Sequence, residues 1–286
     1  MHDRLLTFAK KEERPFVEVL QLFAMERFLY RLAQSRHSAR FVLKGGLMLR
    51  VWDAPVTRPT KDLDLLGRTA NTLANLEQIA REICQQPVAP DGLEFDARSV
   101  KAALIKANDE YHGIRIKFVA LLGSARAPMQ VDVGFGDEIV PEPVQVTVPT
   151  LLDHPAPSLL GYRRETTIAE KFHAMTVLGT LNTRMKDFYD LWLLSSSFEF
   201  DAATLAAAIR ATFARRSTEI ELRPVALTPE FGQSVAAQAL WSAFLKKGGL
   251  TDAPVSFADA VEHVRAFVIP ALSDPPPMKW SARRWR

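Results

Sequence analysis

The spacing of apolar residues divides the chain into a mixed first half and a helical second half. Leu22, Met25, Leu29 and Leu32 recur at intervals of three and four, which predicts a helix with one apolar stripe among charges. Short aliphatic runs further along predict strands at 41–43, 62–65, 93–97, 100–105, 114–122 and 129–135, with helices at 47–51 and 73–83.

From Thr166 onward the periodicity is that of helices. Thr167-Ile168-Ala169-Glu170 has the residues of a capping box, which predicts a helix start there. Further helices are predicted at about 184–195, 201–215, 230–247 and 256–272. We therefore expect an α+β domain at 1–160 and a helical domain at 161–286, with the proline-rich segments around 141–157 and 275–277 as connections.

Composition limits the class of protein. The chain has 286 residues, 48% of them hydrophobic, so it is long enough for two domains with buried cores. Its one cysteine, Cys84, cannot form an intramolecular disulfide and fits an inert buried thiol in a reducing compartment. No stretch approaches the roughly 20 apolar residues that span a bilayer. These features predict a cytoplasmic protein with no membrane partner.

Charge is more informative in its distribution than in its sum of +3. The first fifty residues hold ten Lys or Arg against five Asp or Glu, and segment 279–286 holds four cations and two tryptophans. Cations interleaved with aromatic rings suit contact with single-stranded nucleic acid. The favoured alternative is a solvated tail that packs its tryptophans on the body of the protein.

The candidate chemistry lies in the first half. The alternation in Asp62-Leu63-Asp64-Leu65 predicts a strand with both carboxylates on one face. Carboxylate oxygens suit Mg²⁺, and a third carboxylate, Asp132, on a neighbouring strand would permit two metal ions. The glycine pair at 45–46 would let backbone amides approach phosphates closely. The pattern predicts phosphoryl-type chemistry.

These residues resemble a known family. Leu43-Lys44-Gly45-Gly46, followed by Arg58-x-Thr60-x-Asp62-x-Asp64, looks like the opening motif of the DNA polymerase β-like nucleotidyltransferases. Val131-Asp132-Val133, the 167–171 stretch and the 184–191 stretch narrow the resemblance to the AbiEii/AbiGii toxin family, which includes the MenT toxins. Together the motifs cover about residues 41–194.

The resemblance implies both a fold and an activity. The fold would be a polymerase β-like mixed-sheet domain followed by an α-helical bundle that completes the active-site cleft. The activity would be Mg²⁺-dependent transfer of a nucleoside monophosphate from an NTP to RNA, with the 3′ end of tRNA as acceptor, which would inhibit translation. The protein would be the toxin of a type IV toxin–antitoxin or phage-defence system, with a cognate antitoxin as partner.

The resemblance also implies roles for individual residues. Asp62, Asp64 and Asp132 would be metal ligands, and Asp132 could accept the proton of the attacking hydroxyl. Lys171 would contact the triphosphate, and Asp187 would be a further catalytic residue. The expected nucleotide contacts are Lys44, Gly45, Gly46, Arg58, Thr60 and Lys171. Thr60 stands where the family commonly has a serine, so the hydroxyl is retained.

Two other classes of protein stay open. A small-molecule nucleotidyltransferase that modifies antibiotics would need an acidic pocket for a cationic acceptor. A catalytically silent module that binds RNA or antitoxin would have lost a carboxylate, and none is lost. Lys171 could also be an ordinary helix cation paired with a nearby acid, and either Asp187 or Asp190 could be a helix-start acid.

Overall fold

The chain forms two compact units. The computed structural model describes residues 1–55, 58–105, 113–281 and 283–286. Unit 1 comprises Met1–Asp53, Pro59–Asp137 and Val144–Gly161, and unit 2 comprises Ala54–Arg58, Glu138–Pro143 and Tyr162–Arg286.

Two expectations drawn from composition can be compared with the structure. None of the helices in the described ranges has the length and apolarity needed to cross a lipid bilayer. Cys84 is buried, and burial raises the pKa of its thiol to about 12, as expected for an inert side chain.

In the described residues, unit 1 contains a mixed seven-stranded sheet with helices. Its helices are α1 (His2–Lys11), α2 (Phe16–Gln34), α3 (Met48–Val51) and α4 (Leu73–Cys84). Its strands are β1 (Phe41–Lys44), β2 (Leu63–Gly67), β3 (Glu94–Leu104), β4 (Ile114–Leu122), β5 (Ala125–Phe135), β6 (Val144–Thr147) and β7 (Ser158–Gly161). The strand order is β3-β4-β5-β2-β1-β7-β6, with β2–β5 and β1–β7 parallel. The predicted α+β class with a mixed sheet is confirmed.

Helix α2 is buried around most of its surface, so the prediction of a single apolar stripe was wrong. Glu26 and Arg27 expose 2% and 1% of their surfaces. Glu26 accepts a hydrogen bond from the Leu151 amide at 2.8 Å, and Arg27 donates to the Pro155 carbonyl at 2.7 Å. Arg31 is buried in an ion pair with Asp91. Charges that the sequence assigns to solvent therefore hold a loop of unit 1 against this helix.

Two strand predictions differ from the structure. The runs at 93–97 and 100–105 form the single strand β3, whose pairing with β4 shifts in register between Asp96 and Lys101. The segment around 141–157, expected to be a connection, contains β6 and is followed by β7. Prolines flank both strands instead of interrupting them, because a proline cannot donate a ladder hydrogen bond.

Unit 2 is mainly helical. Its helices are α5 (Arg164–Leu178), α6 (Met185–Ser197), α7 (Ala202–Arg215), α8 (Pro229–Gly232), α9 (Val235–Gly248) and α10 (Phe257–Ala271). The short strands β8 (Phe200–Asp201), β9 (Lys279–Ser281) and β10 (Arg284–Trp285) form a sheet in the order β10-β9-β8. The all-helical expectation for this half therefore missed a small sheet.

Two helix boundaries in unit 2 differ from the predicted ones. Helix α5 begins at Arg164 without a side-chain cap, so the predicted capping box was wrong and Thr167 lies buried inside the helix. The single helix predicted at 230–247 is two helices, because Thr228 caps α8 and Ser234 caps α9.

The C-terminal tail packs its tryptophans on unit 2. Trp280 is 1% exposed, and its indole nitrogen donates to the Ser195 carbonyl at 2.6 Å. Trp285 stacks on Phe267 at a ring-centroid distance of 6.0 Å. In the described residues, the tryptophans of the tail therefore pack on the protein and are not presented to nucleic-acid bases. Ala282 lies outside the described residues.

Candidate active site

A row of four charged side chains crosses one face of the sheet in unit 1. Arg115 on β4 lies opposite Asp132 on β5, Asp132 lies beside Asp64 on β2, and Asp64 lies opposite Lys44 on β1. Directly paired residues of neighbouring strands point to the same face. The charge row therefore reads Arg115, Asp132, Asp64, Lys44, with two carboxylates between two cations.

The third acidic residue, Asp62, immediately precedes β2. Asp62 and Asp64 are half-buried, whereas the alternating Leu63 and Leu65 are 0% and 2% exposed. This period of two is the predicted one. A strand with one face in the core thus directs Asp62 toward the same side as the charge row.

Arg115 connects the three carboxylates electrostatically. Its Nε and Nη2 donate to the two oxygens of Asp132 at 2.8 and 2.7 Å, a bidentate ion pair. The hydrogen bond to Asp132 is the main reason that the pKa of Arg115 is raised, and the charges of Asp132, Asp62 and Asp64 raise it further, against desolvation. The structure therefore brings Asp62, Asp64 and Asp132 together around one guanidinium.

Sequence reasoning missed Arg115. The strand that carries it was predicted, and Arg115 stands between the buried Ile114 and Ile116, so its side chain had to leave the core face. The missing information was the register, which alone sets Arg115 opposite Asp132.

Gly45 lets the Asp64 carboxylate lie against the backbone. Its φ is +75°, a conformation that side chains with a Cβ rarely adopt. A Cβ at this position would lie 2.0 Å from Asp64 Oδ2. The first glycine of the pair is thus required by the carboxylate, in addition to any phosphate it could approach.

The neighbouring predicted nucleotide contacts have partners of their own. Lys44 Nζ lies 3.2 Å from Asp137 Oδ2, and the Thr60 hydroxyl is 3.5 Å from the Asp62 carbonyl oxygen. Gly46 is buried, and the helix after the glycine pair, α3, has only four residues. Because α3 is so short, the expected contribution of a helix N-terminus to phosphate binding is small at this point.

The carboxylates fit a magnesium ion by the chemistry of their donors. Within the described ranges, no group of three or more His, Cys, Asp or Glu side chains is arranged to hold a metal ion. Asp62 and Asp64 supply hard oxygen donors beside Asp132, which is engaged by Arg115. Mg²⁺ usually takes one or two protein carboxylates and shares the remainder of its shell with water and substrate phosphates. Asp132 as a third ligand stays a prediction.

The remaining candidates form a buried ion cluster in unit 2, made of Lys171, Asp187, Asp190, Arg58 and Arg184. Lys171 Nζ lies 2.7 Å from both Asp187 and Asp190, which are each 0% exposed. Arg58 forms a bidentate pair with Asp190 at 2.8 and 2.9 Å, and Arg184 pairs with Asp187 at 2.6 Å. Each carboxylate therefore has two cationic partners.

The charges of the buried ion cluster shift the pKa values of its members. Burial alone would raise the pKa of Asp187, but the charges of Lys171 and Arg184 lower it to about 2. Burial would likewise lower the pKa of Lys171, but Asp187 and Asp190 raise it. Asp187 and Lys171 are thus both charged at neutral pH.

Asp190 has a larger role than the sequence indicated. The spacing i, i+3 places Asp187 and Asp190 on one face of α6, as expected, but both are core ion pairs, and neither is a solvated helix-start acid. Lys171 is not an exposed helix cation either, since its side chain is only 12% exposed. Arg58 joins the cluster through Asp190, a contact that local sequence patterns do not reveal.

Two solved structures from Helicobacter pylori are similar to this chain. The chain resembles JHP933 from Helicobacter pylori, with a TM-score of 0.52 and 15% identity over 90% of this chain and 94% of that chain. A second H. pylori chain, assigned provisionally to the nucleotidyltransferases, matches with a TM-score of 0.48 and 13% identity over 90% of this chain and 96% of that one. At such identities the likeness to JHP933 shows the fold alone. Comparison with functionally curated proteins gave no significant match.

A family model defines the protein more closely. The model described as nucleotidyl transferase AbiEii toxin, type IV toxin–antitoxin system, matches residues 27–264. This range spans most of the 286 residues and includes both the charge row and the buried ion cluster. The chain therefore belongs to the AbiEii family of nucleotidyltransferase toxins from type IV toxin–antitoxin systems.

Proposed function

We propose that this toxin uses Mg²⁺, held by Asp62 and Asp64, to transfer a nucleoside monophosphate from an NTP to RNA, with the 3′ end of tRNA as acceptor. Family membership supplies the NTP as substrate and a cognate antitoxin as partner. The observation that carries the proposed metal site is the charge row beside Asp62 and Gly45.

The balance of charge on this face supports a divalent cation. Lys44 and Arg115 carry two positive charges. The three carboxylates and Asp137, which lies 3.2 Å from Lys44, carry four negative ones, a formal excess of two negative charges. An anionic face repels a triphosphate. A bound Mg²⁺ would cancel this excess, neutralise phosphate charge and polarise the reacting phosphoryl group.

The residues of this chain would then position the reactants. In the proposed step the acceptor oxygen bonds to the α-phosphorus, the bond to the bridging oxygen breaks, and pyrophosphate leaves. Asp132 would accept the proton of the acceptor hydroxyl. Gly45, Gly46, Lys44 and Thr60 would contact the nucleotide, and catalysis would come mainly from orientation and charge neutralisation.

We also propose that activity depends on Lys171, Asp187 and Arg58, which lie in the stretches that resemble the family's motifs. Lys171 and Arg58 are held by buried carboxylates in the described structure, so any contact they make with substrate would be made from fixed positions. Because such residues also stabilise unit 2, their variants must be compared for folding as well as for activity.

Surface charge supports RNA as the acceptor. Arg283, Arg284 and Arg286 are exposed beside the packed tryptophans of the tail. Exposed cations can contact phosphates without reading a sequence, and such binding weakens as salt rises. Base stacking by Trp280 or Trp285 is not part of the proposal, because both rings pack on unit 2.

The test incubates purified protein with Mg²⁺, total tRNA and each of the four NTPs labelled at the α-phosphate. The products are separated on a denaturing gel. We expect labelled tRNA with the wild type and a loss of about 1,000-fold with Asp64→Asn, which keeps the shape but removes the charge. Asp153→Asn is the matched control, because the Asp153 side chain is 99% exposed. EDTA should abolish labelling, and added Mg²⁺ should restore it.

Three outcomes would contradict the proposal. Label on an aminoglycoside but not on tRNA would identify a small-molecule acceptor. Full activity of Asp64→Asn would show that the charge row is not the reaction site. Absence of nucleotide binding by correctly folded wild type would indicate a module that binds RNA or antitoxin without catalysis.

A further inference from the structure

Arg115 is the most accessible cation of the charge row. Its side chain is 39% exposed, whereas Asp132 beside it is 18% exposed. The cations expected from the family resemblance to contact the nucleotide are less exposed: Lys44, Arg58 and Lys171 expose 15%, 10% and 12% of their side chains. A positive charge that solvent can reach therefore stands next to the carboxylates at a position without an assigned role.

The ion pair with Asp132 leaves part of the guanidinium available. Nε and Nη2 each donate one hydrogen bond to Asp132. A guanidinium has five N–H donors in a fixed fork, so Nη1 and the second hydrogen of Nη2 can donate elsewhere. A carboxylate that holds one edge fixes the plane in which the other edge is presented, and this geometry suits phosphate oxygens.

We infer that Arg115 is a triphosphate-binding residue and that Asp132 holds its guanidinium in position for the phosphates. The inference rests on the proposed function. It adds a fixed positive charge on the opposite side of Asp132 and Asp64 from Lys44. Arg115 would contact phosphate oxygens and not the base, so it would strengthen binding of all NTPs without selecting among them.

The test measures nucleotide binding without turnover. Isothermal titration with Mg²⁺ and the α,β-methylene analogues of ATP, GTP, CTP and UTP avoids reaction, because the bond that would break is replaced. We expect Arg115→Ala to weaken binding about 10- to 100-fold for each analogue that the wild type binds, without changing their order. Arg115→Lys keeps a charge and should recover part of the affinity.

Two further variants separate binding from folding. Arg115→Gln can still donate a hydrogen bond to Asp132 but carries no charge, so it should fold like wild type and bind as weakly as Arg115→Ala. Lys117→Ala is the matched control, because Lys117 lies on the same face of the same strand and is exposed. In the sheet it lies opposite Gln130 on β5 and Lys101 on β3, so it has no carboxylate directly across from it. Its affinity should stay within about twofold of wild type.

The outcomes distinguish the inference from the proposed function. Unchanged analogue binding by Arg115→Ala, or wild-type binding by Arg115→Gln, would overturn the role of Arg115 while leaving the transferase reaction intact. A lower melting temperature with unchanged affinity would show that the ion pair is structural only. Failure of folded wild type to bind any analogue would overturn the proposed function, and the inference with it.

Discussion

Replacing Gly45 with alanine should displace Asp64 from its place in the charge row and so disable the proposed reaction. The new Cβ would lie 2.0 Å from Asp64 Oδ2 and 2.6 Å from Asp64 Cβ and Cγ. Ordinary contacts begin near 3.4 Å, so the carboxylate must move by about 1.4 Å, the difference between 3.4 and 2.0 Å. The φ of +75° adds left-handed strain of about 1–2 kcal/mol.

The two effects have different expected sizes. A displacement of about 1 Å in a positioned catalytic group costs roughly 100-fold in rate, which corresponds to about 3 kcal/mol of transition-state stabilisation. We therefore expect Gly45→Ala to label tRNA at least about 100-fold more slowly. Its free energy of unfolding should fall by about 1–2 kcal/mol from the backbone strain and by a further amount because Asp64 Cβ cannot move away without the backbone of β2.

Gly123→Ala separates strain from displacement. Gly123 lies in the β4–β5 turn of the same unit with φ +59°, and nothing lies within 4 Å of an added Cβ. This control should lose only the stability that the backbone strain costs, and it should keep its activity. The assay is the initial rate of tRNA labelling, with urea unfolding of both variants. Gly45→Ala with more than about a third of wild-type activity would refute the reasoning that Asp64 must lie against Gly45.

The remaining predictions concern the buried ion cluster. Lys171→Met should lower the free energy of unfolding by about 3–5 kcal/mol, because it removes one of the cations facing Asp187 and Asp190; urea unfolding with a loss below about 1 kcal/mol would contradict this. The lowered pKa of Asp187, about 2 against an ordinary 3.8, makes its contribution to stability present above about pH 4 and lost as pH falls toward 2. Asp187 alone should therefore contribute about 2 kcal/mol to the fall in wild-type stability over that window. In Asp187→Asn the fall should be smaller, and equal slopes would exclude Asp187 as its source.

Much of the architecture follows from local patterns in the sequence. The alternation around Asp62 and Asp64 predicts a half-buried strand, because successive side chains of a strand point to opposite faces. The helical periods after residue 160 predict most of the helices of unit 2, since each depends on residues three or four apart. The glycine at position 45 is visible locally as well, although its closest neighbour, Asp64, is not.

Contacts between distant segments were decided only by the tertiary structure. Arg115 meets Asp132, and Arg58 meets Asp190, through strand register and helix packing that no local period encodes. The buried charges of α2 are another case, since Glu26 and Arg27 resemble solvent-facing residues until the loop that receives them is placed. Local patterns report which way a side chain points, because a helix or strand repeats every few residues. Which opposite charge it meets depends on free energy summed over the whole fold, so that partner is set only when the chain is folded.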